Sequence, residues 1–299
     1  MLRVRILTHY SKTTTLSPSL SNHIGKKKEP RLKLSVIVST YNNPLALARI
    51  LENLKAGTKR PEEIHVAEDG SNEETQQVVK NFTQSINHHC QEDKGFRKAK
   101  ILNRAVNACQ GDYVVFLDGD CLPHKQFVND HLAIAEKGYF VQGRRCFIEE
   151  DQVNPLLQGK TSLPRLMLSG KVSGLLKSFR LPKPIVKVNR DMYGLLGCNL
   201  GVWREDLLAV NGFDEDYEGW GREDSDLGAR LYNHGLRRKM VYGRALVYHL
   251  NHPENKRDQL VENDRRLEAT ISSGKIRCNN GIVKATHEKK RHSSNLNTD

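Results

Sequence analysis

Two acidic clusters in the sequence have residue types and spacing that could do chemistry. In Asp118-Gly119-Asp120, one glycine separates two carboxylates. Glycine lets the backbone approach a ligand closely, and the carboxylate pair suits a hard divalent cation holding a diphosphate. The same tripeptide also reads as a polar turn closing a strand. In Gly219-Trp220-Gly221-Arg222-Glu223-Asp224-Ser225-Asp226, glycines flank an aromatic residue and acids follow. Acids are ordinary in a first helical turn, and a helix dipole there would keep Asp224 ionised at neutral pH, as a general base requires. Trp220 is either core or a flat apolar face for a sugar ring. Asp69, in Glu68-Asp69-Gly70, can accept a hydrogen bond from a base or ribose, or simply make a turn. His249, after Ala245-Leu246-Val247-Tyr248, reads as a core or edge histidine more readily than as a metal ligand. His252 precedes Pro253 and reads as loop.

These side chains need elements to hold them. Residues 34–40 are a β-branched run ending at Thr40-Tyr41-Asn42. Asn43 can cap a helix with Pro44 at its first position, and Leu47, Ile50, Leu51 and Leu54 follow helical spacing until Gly57. Residues 63–67 read as a second strand, and Ser71 with Glu74 as a capping box opening a helix over Val78, Val79 and Phe82. Ala99, Leu102, Ala105, Val106 and Cys109 mark another helix, Tyr113-Val114-Val115-Phe116-Leu117 a strand buried on both faces. The acids at 223–226 open a helix that runs through Leu227 and Leu231 and stops at Gly235. This alternation predicts an α/β fold with a central, mostly parallel sheet flanked by helices, whose ligand lies beyond the carboxyl ends of the strands. Those ends carry Thr40, Tyr41, Asn42, Asp69, Asp118 and Asp120.

The chain has 299 residues and a formal charge of +12, unevenly spread. Residues 1–31 hold seven Lys/Arg against one acid, residues 256–299 ten against six, and residues 160–190 eight against none. The basicity sits in two ends and one insert, so a nucleic-acid protein with a basic folded face is disfavoured. Residues 1–31 read as a disordered basic extension, though their composition also suits a transit peptide. Residues 256–299 read as a basic, partly disordered tail. Residues 163–181 mix Leu163, Met167, Val172, Leu175, Leu176 and Phe179 with Arg165, Lys171, Lys177 and Arg180, as a segment resting on an anionic membrane or phosphorylated glycan would; a solvated loop is the plainer reading. No apolar run reaches spanning length, and six widely spaced cysteines fit reduced thiols in a cytoplasm, at most peripheral to the membrane's inner face.

In series, these segments resemble the family 2 inverting glycosyltransferases of the nucleotide-diphosphosugar (GT-A type) fold. Residues 36–42, Glu68-Asp69-Gly70 and Asp118-Gly119-Asp120 match the donor half, here 32–150. Phe96-Arg97-Lys98-Ala99-Lys100-Ile101-Leu102-Asn103, Asn211-Gly212-Phe213-Asp214 and the 219–224 motif are similar to the C-terminal region of β1,4-galactosyltransferases and chondroitin-type polymerases. They place an acceptor half at 191–255, after a basic insert at 156–190. The resemblance implies a hexosyltransferase that uses a UDP-sugar, such as UDP-galactose or a UDP-N-acetylhexosamine. It would act on a glycan or glycolipid acceptor such as bacterial lipooligosaccharide. Asp69 would touch uridine and Asp118 the ribose side, with Thr40, Tyr41, Asn42, Arg97 and Lys100 completing the donor site. Asp120, His249 and Asp118 would hold Mn²⁺ or Mg²⁺; a methionine ligand of the animal enzymes is replaced by Leu246. Asp224 would be the base, Glu223 would orient the acceptor or substitute, and Trp220 and Asp226 would bind the acceptor. The competing reading is a sugar-nucleotide or glycan binding module without turnover.

Overall fold

The computed structural model describes residues 31–173, 178–253 and 257–284. Residues 1–30, 174–177, 254–256 and 285–299 lie outside them, and with them most of the expected extension, Leu175, Leu176 and Lys177 of the expected insert, and the end of the expected tail.

Burial on both faces, expected for the apolar run at 113–117, organises the first four strands. Strands β1 (Leu34–Thr40), β2 (Glu63–Glu68), β3 (Asn87–Cys90) and β4 (Tyr113–Asp118) lie parallel in the order β3-β2-β1-β4. Helix α1 (Pro44–Ala56) starts as expected: Asn43 Oδ1 accepts from Ala46 N–H at 3.2 Å. Helix α2 (Glu73–Asn81) is capped instead by Asn72, whose Oδ1 accepts from Thr75 N–H. The capping box expected at Ser71 is therefore displaced by one residue, because Asn competes equally well for that position. Helix α3 (Lys98–Ala108) packs Ala99, Leu102, Ala105 and Val106 against the sheet.

Beyond β4 the sheet continues with strands not read from the sequence. β9 (Asn199–Trp203) runs antiparallel between β4 and β6 (Tyr139–Gln142), and β10 (Arg237–Tyr242) lies parallel to β6. The edge strand β8 (Ile185–Asn189) is antiparallel to β10. A separate small sheet orders β5 (Cys121–Pro123), β11 (Leu246–Leu250) and β7 (Arg144–Ile148). Its β5–β11 register sets His249 opposite Cys121, the residue after Asp120.

Helix α4 (Phe127–Ile134) follows β5, and α5 (Glu150–Leu157), α6 (Leu163–Leu168) and α7 (Arg204–Ala209) are short. The insert is anchored: Val172 bridges to Ile148, and Arg180 makes a two-point ion pair with the buried Asp130. Helix α8 (Glu223–Asn233) begins at the expected acids. Part of the expected basic tail is ordered. Helix α9 (Leu260–Ser273) packs on α8, and Cys278 is buried where Asn211 Nδ2 donates to its carbonyl. Apolar Leu260, Leu267 and Ile271 are too sparse for periodicity alone to reveal this helix.

Candidate active site

The carboxyl rim of the parallel strands gathers the expected donor-side residues. Thr40 ends β1, and its carbonyl accepts from Asp69 N–H at 3.0 Å. Asp69 is buried, with Oδ1 accepting from Gln91 Nε2 (2.7 Å) and Oδ2 from Arg97 N–H (2.6 Å). Burial pushes its carboxyl up despite those two donors. Thr40 Oγ1 is buried without a hydrogen-bond partner. Tyr41 is exposed and donates to Asp93 Oδ2 at 3.0 Å, and Asn42 takes a left-handed φ of 44°. The Arg97 guanidinium turns back to Glu92 O.

Asp118 and Asp120 diverge. Asp118 Oδ1 accepts from Ser39 Oγ at 2.9 Å and pairs with Lys98 Nζ at 2.6 Å. Gly119 between them has no substitute, because a Cβ there would lie 2.4 Å from Ser39 O. Asp120 Oδ2 instead meets His249 Nε2 at 3.3 Å and His252 Nε2 at 3.1 Å. One ligand atom from each of Asp120, His249 and His252 falls within 4.8 Å of the others. Asp118, expected as a further metal ligand, lies outside this trio because Lys98 and Ser39 hold its carboxylate. His252, read as loop, completes the trio and supplies the third donor that Leu246, buried in β11, cannot. Burial would raise the Asp120 carboxyl, but hydrogen bonds from the two imidazoles outweigh it and hold it far below the carboxylate range. The same bond raises His252 to about 9. One carboxylate oxygen and two imidazole nitrogens are a donor set that a borderline divalent cation accepts, and His249 Nδ1 is buried without a partner. These residues fit a metal.

The second cluster sits across from Asp118. Arg222, with φ of 78°, turns the chain into α8, whose first residues are Glu223 and Asp224. Asp224 Oδ2 accepts from Gly197 N–H at 2.7 Å, and its Oδ1 accepts from Ser225 N–H at 2.6 Å. Glu223 is buried, and Lys98 Nζ lies 3.7 Å from its Oε1. Burial, with the adjacent Asp224 charge, pushes Glu223 up to about 7 despite Lys98. Burial works against the Lys98 ammonium, yet Asp118, Glu223 and Asp224 outweigh it and keep it charged. Lys98 thus links the Asp118 and Glu223 carboxylates. It was not among the expected site residues; Lys100 was, and Lys100 is exposed on the other side of α3. Residues two apart on a helix point about 200° apart, so only one of the pair can face this site.

The same geometry corrects Asp226. It is fully buried, with Arg230 Nε at 2.7 Å on one oxygen and Thr270 Oγ1 and Tyr217 Oη donating to the other. It braces α8 against α9, with its carboxylate fully buried rather than open to a ligand as expected. Trp220 is half-buried between Gly219 and Gly221, with the Arg257 guanidinium 5.2 Å from its ring centre.

A mostly parallel sheet with this rim and an acid-opened helix facing it has the GT-A type glycosyltransferase fold. Residues 35–183 match the family described as Glycosyl transferase family 2, and residues 183–253 match that described as N-terminal domain of galactosyltransferase. The chain belongs to the family 2 glycosyl transferases. It is 27% identical to the chondroitin synthase of Escherichia coli, over 79% of this chain and 39% of that protein. It is 31% identical to the validoxylamine A glucosyltransferase of Streptomyces hygroscopicus subsp. limoneus, over 68% of this chain and 48% of that one. The chain therefore spans less than half the length of these relatives. Among solved structures, S. aureus TarS 1–349 in complex with UDP aligns with a TM-score of 0.57 at 18% identity, covering 86% of this chain and 68% of that one.

Proposed function

We propose that the chain is a metal-dependent inverting glycosyltransferase that moves a hexose from a UDP-sugar to a hydroxyl of a glycan acceptor. The observation that carries this reading is the facing of two groups: the Asp120–His249–His252 trio beside β4, and Glu223–Asp224 at the start of α8, joined through Lys98 and Asp118. Asp120, His249 and His252 would hold a divalent cation, which when bound would supply charge stabilisation to a departing diphosphate without a proton. Asp69 and the unpartnered Thr40 hydroxyl hold the nucleoside end, with Tyr41, Asn42 and Arg97 around it. Asp224 takes the proton of the incoming hydroxyl, Trp220 stacks the acceptor sugar, and Glu223 orients it. Attack opposite the leaving group inverts the anomeric centre in one displacement, so no covalent intermediate is required.

The relatives support a glycan acceptor, and a bacterial surface glycan such as lipooligosaccharide is the acceptor we favour. The test is UDP release from UDP-galactose, UDP-glucose, UDP-N-acetylglucosamine and UDP-N-acetylgalactosamine with Mn²⁺. One donor is expected to release UDP, and Asp224→Asn to lose on the order of 10²–10⁴-fold of that rate. UDP-sugar binding without release by any donor would favour the binding module.

We also propose an anionic membrane surface as a partner, through a different part of the insert than the sequence suggested. Arg180 and Lys171 already answer to Asp130 and Glu149. Ile185 and Val186, by contrast, are exposed on the edge strand β8 between Lys183 and Lys187. Sedimentation with phosphatidylglycerol vesicles is expected to weaken in Lys183→Glu/Lys187→Glu, and equal sedimentation contradicts the membrane partner.

A further inference from the structure

A cleft of about 470 Å³ lies beside the proposed site and shares only Arg97 with the residues used above. Phe96 and Arg97 wall it from the turn before α3, Asp216 and Glu218 from the loop before Trp220, and Glu262 and Arg266 from α9. We propose that this cleft is a second carbohydrate subsite, holding the part of a neutral acceptor oligosaccharide beyond the sugar that receives the hexose. The proposal rests on the transferase reading and names the class of its acceptor.

Placement is the first argument. Gly219, in the cleft wall, directly precedes Trp220, and its N–H donates to Phe96 O at 3.0 Å. Its φ is +74°, and a Cβ there would lie 2.7 Å from the Gln259 side chain. Asn263 Nδ2 donates to both Glu218 O (3.1 Å) and Gly221 O (3.0 Å), so α9 pins the Trp220 loop on both flanks. A glycan seated on Trp220 has this cleft as its immediate neighbour. On the other side, Arg97 N–H reaches Asp69, so the cleft also borders the donor rim.

Chemistry is the second. The wall mixes cations and carboxylates that already answer one another: Glu262 Oε1 lies 3.2 Å from Arg266 Nε, Lys284 Nζ pairs with Glu215 at 2.6 Å, and Asn280 Nδ2 donates to Asp216 Oδ1 at 2.6 Å. Polar groups of both kinds thus line the cleft. A sugar hydroxyl both accepts and donates, so it satisfies both kinds of wall. A uronate or phosphate would have to compete for Arg266 with Glu262, which already pairs with it, and would meet the exposed carboxylate of Glu218 as well. The walls therefore select against an anionic glycan. The volume is within the ~300–1,000 Å³ of ordinary ligand pockets, and Phe96 adds an aromatic edge.

The third argument is where the wall comes from. Helix α9 lies beyond residue 253, the end of the two family matches. A wall from beyond the two family matches is suited to setting which acceptor this chain takes.

The test uses the full chain with Mn²⁺ and reads glycan binding by saturation-transfer NMR, separately from turnover. The probes are cellotriose, chitotriose and maltotriose with their parent monosaccharides, plus a hyaluronan tetrasaccharide as the anionic arm. At least one neutral trisaccharide is expected to bind about tenfold tighter than its monosaccharide. Asp216→Ala/Arg266→Ala should remove that gain while monosaccharide binding and UDP-sugar hydrolysis stay unchanged. Glu218→Ala, at an exposed position, repeats the test if the double variant unfolds. The proposal is overturned by equal binding of tri- and monosaccharides, by no binding of any neutral probe, by a gain that survives the variants, or by preference for hyaluronan. Loss of wild-type UDP-sugar hydrolysis would instead overturn the transferase reading.

Discussion

The ammonium of Lys98 stands 2.6 Å from Asp118 and 3.7 Å from Glu223, and without it two acids would face each other uncompensated. Lys98→Met should therefore push Glu223 further up, moving to higher pH the acid-side rise of activity that depends on ionised Glu223 orienting the acceptor, whereas Lys100→Ala should leave the pH–rate profile as it is. Glu223 itself makes a stability prediction. Its folded-state value of about 7 exceeds its ordinary 4.5, so the native state holds a proton that the unfolded chain releases. The contribution is complete below about pH 4.5 and is lost as pH rises through about 7. Urea unfolding across this range should show a downward slope in stability that is reduced in Glu223→Gln. At the other pole, His252→Ala should raise the Mn²⁺ concentration needed for half-maximal activity by at least about tenfold, since even indirect partners of a metal ligand carry effects of this size. The sequence presented Asp69, Asp118 and Asp120 at strand ends and Glu223 and Asp224 at a helix start, and the structure has them at those element ends. It could not distinguish Lys98 from Lys100, or Asp224 from Asp226, without the phase of each helix. His252 lies in a loop, where no period reports which way a side chain points.

Elements whose own apolar pattern determines them were legible: β1, β2, β4, α1, α2, α3, the start of α8 and most of β11. The strands β6, β8, β9 and β10, which depend on partners distant in the chain, were not. The small β5–β11–β7 sheet is three residues wide at β5, too short for a pattern, yet its register is what brings His249 to Asp120. The helix α9 has the same standing on the acceptor side, where Asn263 is buried and donates to two loop carbonyls. Asn263→Ala leaves both carbonyls without that donor and should cost on the order of 1–3 kcal/mol, read as a lower urea midpoint. It should also raise the acceptor KM more than the donor KM, because the loop it holds carries Trp220 and not the trio.

Across the whole molecule, the donor rim of the family 2 region and the acid-opened helix of the galactosyltransferase-type region meet at one line, Asp118–Lys98–Glu223. Among the described residues no helix is long and apolar enough to cross a membrane. The charge excess seen in the sequence is partly spent inside the fold: Arg180 and Arg244 converge on Asp130, and Arg230 on Asp226. The account depends above all on the trio gripping a nucleotide diphosphate through a cation. Calorimetric titration of UDP into the wild-type chain and into Asp120→Asn, His249→Ala and His252→Ala, each with Mn²⁺ and with EDTA, tests this directly. UDP affinity is predicted to depend on Mn²⁺ in the wild type and to lose that dependence in all three variants. Equal UDP affinity with Mn²⁺ and with EDTA in the wild type, or an undiminished metal effect in the variants, would contradict it.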